Sequence, residues 1–317
     1  MTHALPLAKN PIIRDFSTRP SRLESEVRFL RFLQLCYRIP IDAFYRFNAD
    51  DGWAIASHIA LSALMSLFPF LIFVTALASF AFGSRELADE VARILLEAWP
   101  TQVAAPIAAE IHNVLTTARG GVLTIGVALA IYFSSSGIES VRIGLNRAYG
   151  VAEPRTWWLM RIESIAYVLV GAIALLVLAF LVVLTPLIFA TAARYMTWLQ
   201  PLWPMLNFLR FAVASTVLII ALVIVHMWLP AGTRRLGEIA PGIVVTLLLW
   251  LVAGEAFGRY LADFAYTYVS YYAGLASVMV ALVFLYLTAS IFIYGGEFNA
   301  SIRRLREERV EAKLKSG

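Results

Sequence analysis

The stretch Tyr132-Phe-Ser-Ser-Ser-Gly-Ile-Glu-Ser-Val-Arg-Ile-Gly-Leu-Asn-Arg-Ala-Tyr-Gly150 closes a long apolar run with polar side chains that keep its helical phase. Ser135, Glu139, Arg142, Asn146 and Tyr149 recur at i, i+4, i+7, i+11 and i+14, which sets them on one face of a helix. Hydrocarbon offers such a stripe no partner. Where the helix leaves a bilayer, the stripe must therefore face protein, water or lipid headgroups.

The rest of the chain supplies the bilayer reading. Hydrophobic residues make up 60% and charged residues 15% of the sequence, and the mean hydropathy is +0.75. Soluble domains run at about 45–50% apolar and about 25% charged. An all-α polytopic membrane protein follows, with six transmembrane helices and amphipathic surface helices. The spans are expected at about 54–82, 121–141, 162–190, 208–229, 239–262 and 273–294, inside a transmembrane domain of 54–298. Residues 1–53 form an N-terminal segment and 299–317 a charged tail. The first 30 residues contain no continuous apolar stretch of the kind a cleaved secretory signal needs.

Two regions read as surface helices. Leu23, Val27, Leu30, Leu33 and Tyr37 share a face within 22–38, while Arg22, Arg28, Arg31 and Arg38 lie largely elsewhere, as suits a helix on an anionic membrane surface. Residues 84–119 carry two apolar stripes separated by Trp99-Pro100 and are expected to form an amphipathic hairpin on the outer side. Twenty of the 26 lysines and arginines fall on one side of the six spans, which predicts cytoplasmic N- and C-termini.

Asp50 and Asp51 are placed to cap the first span, and Pro69 should kink or break it. Glu255, Arg259 and Asp263, at i, i+4 and i+8, form a charged ladder near the outer end of span 5. That ladder either anchors the span end or lines a substrate route. Gly254 and Gly258 beside it suggest close helix packing. In Tyr294-Gly-Gly-Glu-Phe-Asn-Ala300 the glycines permit a close approach or a local break, and Glu297 is expected to meet Arg142 or Arg147. Ser135, Glu139, Arg142, Asn146, Arg147 and Glu297 thus compose a candidate polar gate or latch at the cytoplasmic mouth.

Catalytic patterns are missing from the sequence. It holds no phosphate loop, no H-E-x-x-H and no G-x-S-x-G, and its four histidines are scattered. The single cysteine, Cys36, excludes an internal disulfide and a cysteine-based metal cluster. No enzyme activity, metal or cofactor is expected.

Several dispersed pieces resemble the YihY/BrkB family of bacterial inner-membrane proteins, formerly labelled ribonuclease BN-like. They are Ser66-Leu-Phe-Pro69, Leu145-Asn-Arg-Ala-Tyr-Gly150, Leu229-Pro230, Pro241-Gly242, Trp250 and Tyr294-Gly-Gly-Glu-Phe-Asn-Ala300, in the family's order. Where the family usually carries tyrosines ahead of the proline piece, this chain has Leu61 and Ser62. The resemblance implies a six-span inner-membrane protein with three functional labels: tRNA-processing ribonuclease, virulence factor, and transporter of envelope lipid or solute. The first fits poorly, because the sequence offers no ligand cluster and no soluble domain to hold RNA. Transport or handling of a lipid or amphiphilic envelope component is the leading expectation, and a structural or assembly factor is the alternative. Membrane lipids are the expected partners, together with an envelope protein or a second copy of the chain; nucleic acid is not expected.

Overall fold

The computed structural model describes residues 37–82, 120–195, 203–272 and 276–316, so the surface helix expected at 22–38 and the hairpin at 84–119 fall largely or wholly outside the described residues. The chain divides into two units, Met1–Ile41 and Asp42–Gly317. Residues 37–41 of the first are helical.

The second unit is helical throughout its described length apart from short connections. A helical segment over 42–49, here α1, leads into α2 (Gly52–Phe82). Then come α3 (Gly120–Ala148), α4 (Trp157–Tyr195), α5 (Trp203–Trp228), α6 (Leu236–Tyr272) and α7 (Ala276–Ser316). Five of these six long helices carry stretches long and apolar enough to cross a membrane: Gly52–Val74, Trp157–Leu178, Pro204–Trp228, Leu236–Asp263 and Val278–Lys315. The sixth, α3, has 29 residues, about 43 Å at 1.5 Å per residue, and is the one whose second half carries the polar stripe. The all-α membrane architecture stands.

The turn into α2 is tight. Asp51 takes φ of +57°, and the Trp53 indole donates to Asn48 Oδ1 at 2.7 Å while packing edge-on against Phe47 at 4.8 Å. The Asp51 carboxylate reaches across to Arg147 at 3.2 Å, so the expected capping aspartate forms an interhelical pair. Pro69 sits inside an unbroken helix, and α7 runs without interruption through Gly295 and Gly296. Of the readings left open at the two places, a kink or a break at Pro69 and a close approach or a break at the glycines, the break is not seen in either helix. A membrane helix tolerates a proline where neighbouring helices surround the freed carbonyl.

Helix α2 lies along α3 and α7, α6 lies along α7, and α4 flanks α3; α5 is peripheral. Glycines set the closest approaches. A methyl group added at Gly144 would stand 2.7 Å from Ile293 and 2.9 Å from Ile59, and one at Gly242 would overlap the Gly295 carbonyl oxygen. Small residues let helix backbones meet where lipid supplies no hydrophobic drive for association. Gly254 and Gly258 contrast with these. Nothing lies within 4 Å of a methyl placed on either, so the packing expected of that pair is not made within the described residues.

Candidate functional site

The polar stripe of α3 faces protein. Ser135, Arg142, Asn146 and Tyr149 are buried, and the half-buried Glu139 belongs to the same face. The short connection 149–156 folds α4 back antiparallel to α3, so residues equally far from the turn at Gly150 meet. Glu139 pairs with Arg161 at 2.8 Å, and Arg161 also donates to the Tyr132 carbonyl and lies over its ring. Arg142 donates to the Met160 carbonyl at 3.1 Å and to Ser164 Oγ at 2.9 Å, with Glu163 3.6 Å away. The two stripe charges therefore look to α4 for partners.

A second layer ties in the connection between α5 and α6. Asn146 accepts from the Ala231 N–H at 2.7 Å and donates to Glu153 at 2.9 Å, so one side chain joins the loops at 149–156 and 229–235. Arg155 closes the same circuit, with Glu153 and Glu163 each at 2.7 Å and the Leu229 carbonyl at 2.9 Å. The hydrogen bonds from Arg155, helped by Asn146, hold the Glu153 carboxyl at about 2, well below its ordinary 4.5. Glu153 in turn raises the basicity of Arg155. A carboxylate given several donors is stabilised in its charged form.

Tyr149 is the centre of a third layer. Asn299 Nδ2 donates to its phenol oxygen at 3.2 Å, leaving the O–H to donate to Nδ1 of His226 at 2.9 Å. Neutral His226 then carries its hydrogen on Nε2, a buried atom with no hydrogen-bond partner, while the ring stands 4.8 Å from that of Phe292. Burial pushes the Tyr149 phenol up to about 12, so it remains a neutral donor. Arg234 lies over the Tyr149 ring at 4.0 Å, and Arg303 donates to the Tyr149 carbonyl at 2.9 Å. Asn299 also accepts from the Gly242 N–H at 2.6 Å, which pins α6 to α7.

The remaining expected members separate. Arg147 is exposed and bound to Asp51 rather than to the stripe. Glu297 is buried, but its salt-bridge partner is Arg304 at 3.8 Å, not Arg142 or Arg147. Residue 297 lies one residue, about 100° around the helix, from the surface that meets α3: it is Gly296 that abuts Ala148 and Leu145. Glu255 and Arg259 pair at 2.8 Å on an exposed face of α6, and Asp263 is exposed on the same helix. Among the described residues, no group of three or more His, Cys, Asp and Glu side chains is placed to hold a metal ion.

Arg161, Glu163, Glu153, Arg155, Arg234 and His226 were not singled out from the sequence. The short helical hairpin around Gly150 is the signal that finds the first two, since it sets α4 residues opposite the stripe. His226 and Arg234 come to Tyr149 only through tertiary packing.

The family model described as Virulence factor BrkB matches residues 43–316, which takes in every element of this network. The chain belongs to this family. YfkH of Bacillus subtilis (strain 168), which bears a ribonuclease-like name, is 26% identical over 266 residues, covering 84% of this chain and 95% of its own. A UPF0761 membrane protein of Tolumonas auensis is 38% identical over 61 residues, 19% of this chain and 20% of its own. No solved structure matches the chain. The BrkB chain described here is thus a multi-pass integral membrane protein whose polar residues gather at the end carrying the 149–156 and 229–235 loops.

Proposed function

We propose that this BrkB protein moves or handles a lipid or other amphiphilic envelope component in a bacterial inner membrane, with both termini cytoplasmic. The observation that carries the reading is the exposure of α5 and α6 away from their connecting loop. No residue of α5 between 204 and 221 is buried, and none of α6 between 248 and 260. Both lengths are apolar, and the Glu255–Arg259 pair stands exposed at the far end of the second. An apolar surface with a charged pair at one end suits a molecule with acyl chains and a polar head. The arginine distribution puts the polar network on the cytoplasmic side, so this surface opens toward the outer leaflet.

Reconstitution in liposomes tests it, with a panel of phospholipids and anionic amphiphiles. Movement of at least one of them above empty vesicles is expected, and no movement across the panel contradicts the reading. A second reading is a structural or assembly factor for the envelope, favoured by how fully the stripe is paired. It predicts stoichiometric crosslinking to an envelope protein or to a second copy, and tolerance of substitutions at Glu139 and Arg142. Neither reading is enzymatic. The ribonuclease-like name of YfkH brings a further alternative, which requires metal-dependent RNA cleavage by the pure protein that is lost on mutating an identified ligand.

A further inference from the structure

Glu297 is the most deeply buried carboxylate among the described residues, 1% exposed, and its Oε2 has no hydrogen-bond partner. It stands three residues beyond Tyr294, where the apolar part of α7 gives way to the polar run that ends the helix. Among the described residues, the one cation within ion-pair reach is committed elsewhere. Arg304 Nη2 donates to Ser301 Oγ at 2.9 Å and to Asp42 Oδ2 at 3.4 Å, and lies 3.8 Å from Glu297 Oε2, beyond hydrogen-bond distance.

Two carboxyl groups thus compete for one guanidinium, and the more exposed of them holds it. Asp42 is 35% exposed and Arg304 26%, so water solvates that pair but not Glu297. The charges that act on Glu297 are Asp42 and Arg46 of α1, Asp50 of the following turn, and Arg304. Two of them are acidic and two basic, so they act on it in opposite directions. What remains is the cost of an ionised carboxylate removed from water without a donor, which a bound proton removes.

We propose that Glu297 is a proton-binding site: a carboxyl that carries its proton while Asp42 engages Arg304, and releases it when Arg304 turns to Glu297. The proton leaves to the water that solvates the partly exposed Asp42 carboxylate. Release exchanges one ion pair, Asp42–Arg304, for another, Glu297–Arg304. The exchange loosens the contact between α1 and α7, giving proton occupancy a mechanical consequence at the loop end. The site stands whatever the protein moves, so its test does not depend on transport.

Infrared difference spectroscopy on the full chain in nanodiscs reads it directly, through a protonated-carboxyl stretch at neutral pH that shifts on deuterium exchange. The band is expected in the wild type and absent in Glu297→Gln, which keeps the shape of the side chain. An identical spectrum in the two proteins overturns the proposal. Asp42→Asn retains Glu297 and frees Arg304 for it, and is expected to lower the pH at which the band disappears by about one unit or more. An unchanged midpoint overturns the exchange. Loss of the wild-type band on replacing choline chloride by sodium chloride marks a metal-cation site instead, and also overturns it.

Discussion

Over Ile239–Thr246, α6 buries four residues and lays its backbone against α7, whereas over 248–260 the same helix buries none and meets α7 through side chains, with Trp250 donating to the Thr288 carbonyl and stacking on Phe292, and Phe257 packing on Phe284. Both lengths are apolar enough for a membrane. What separates them is side-chain size and polarity. The packed length offers Gly242 to the Gly295 backbone and Thr246 beside it, with Asn299 capping the contact. The open length offers Leu248, Leu249, Leu251 and Val252 to its surroundings. In a bilayer, apolar bulk does not drive helices together; close backbone approach and internal hydrogen bonds do. Packing in this molecule therefore follows small and polar residues, not hydrophobicity.

The sharpest way to break the comparison is to make one substitution in both lengths. Gly242→Ala places a methyl against the Gly295 carbonyl and Asn299, and should cost about 3 kcal/mol or more, read as loss of folded protein in detergent unfolding. Gly254→Ala meets open space and should be neutral or gain about 0.5–1 kcal/mol from helix propensity. Similar losses at the two glycines would show that the 248–260 length of α6 is packed as well.

A smaller loss is expected at the network's crossing point. Asn146→Ala leaves the buried Ala231 N–H without its acceptor and deprives Glu153 of a donor, costing about 1–3 kcal/mol by the same measurement. A loss confined to a few tenths would mean that the two loops are held by Arg155 alone.

The mildest test is acid. The Glu153 carboxyl is held at about 2 against an ordinary 4.5, so its ionised form contributes stability that is fully present above pH 4.5 and is withdrawn as pH falls toward 2. Unfolding midpoints should decline through that window, and Glu153→Gln should flatten the decline. The same slope in the variant would assign acid sensitivity to other carboxylates.

The architecture was legible in the sequence because a bilayer demands long apolar helices, and the arrangement of Ser135, Glu139, Arg142 and Asn146 on one face follows from helical period alone. That face meets protein, one of the three surroundings that the sequence left open for it. The partners were not legible in the same way. Glu297 was expected to meet Arg142 or Arg147, yet a one-residue rotation on α7 puts Gly296 against α3 and turns Glu297 toward Arg304. Helical phase fixes which residues share a face, but not which neighbour that face meets. The glycines of α7 read equally well as a break or as a close approach, and only the position of α6 decides for the approach. At Gly254 and Gly258 the motif promised contact, and the described residues supply none within 4 Å.

The most direct test of the closed loop end and the open far lengths of α5 and α6 is photolabelling with a photoreactive phospholipid in bilayers, followed by mapping of the labelled residues. The account predicts label along α5 between 204 and 221, and on α6 at Leu251, Val252, Gly254, Ala256 and Gly258, around all but the stripe that meets α7. It predicts none at Asn146, Tyr149, His226 or Asn299. Label confined to one narrow face of α6, or label reaching the Tyr149 layer, would contradict it.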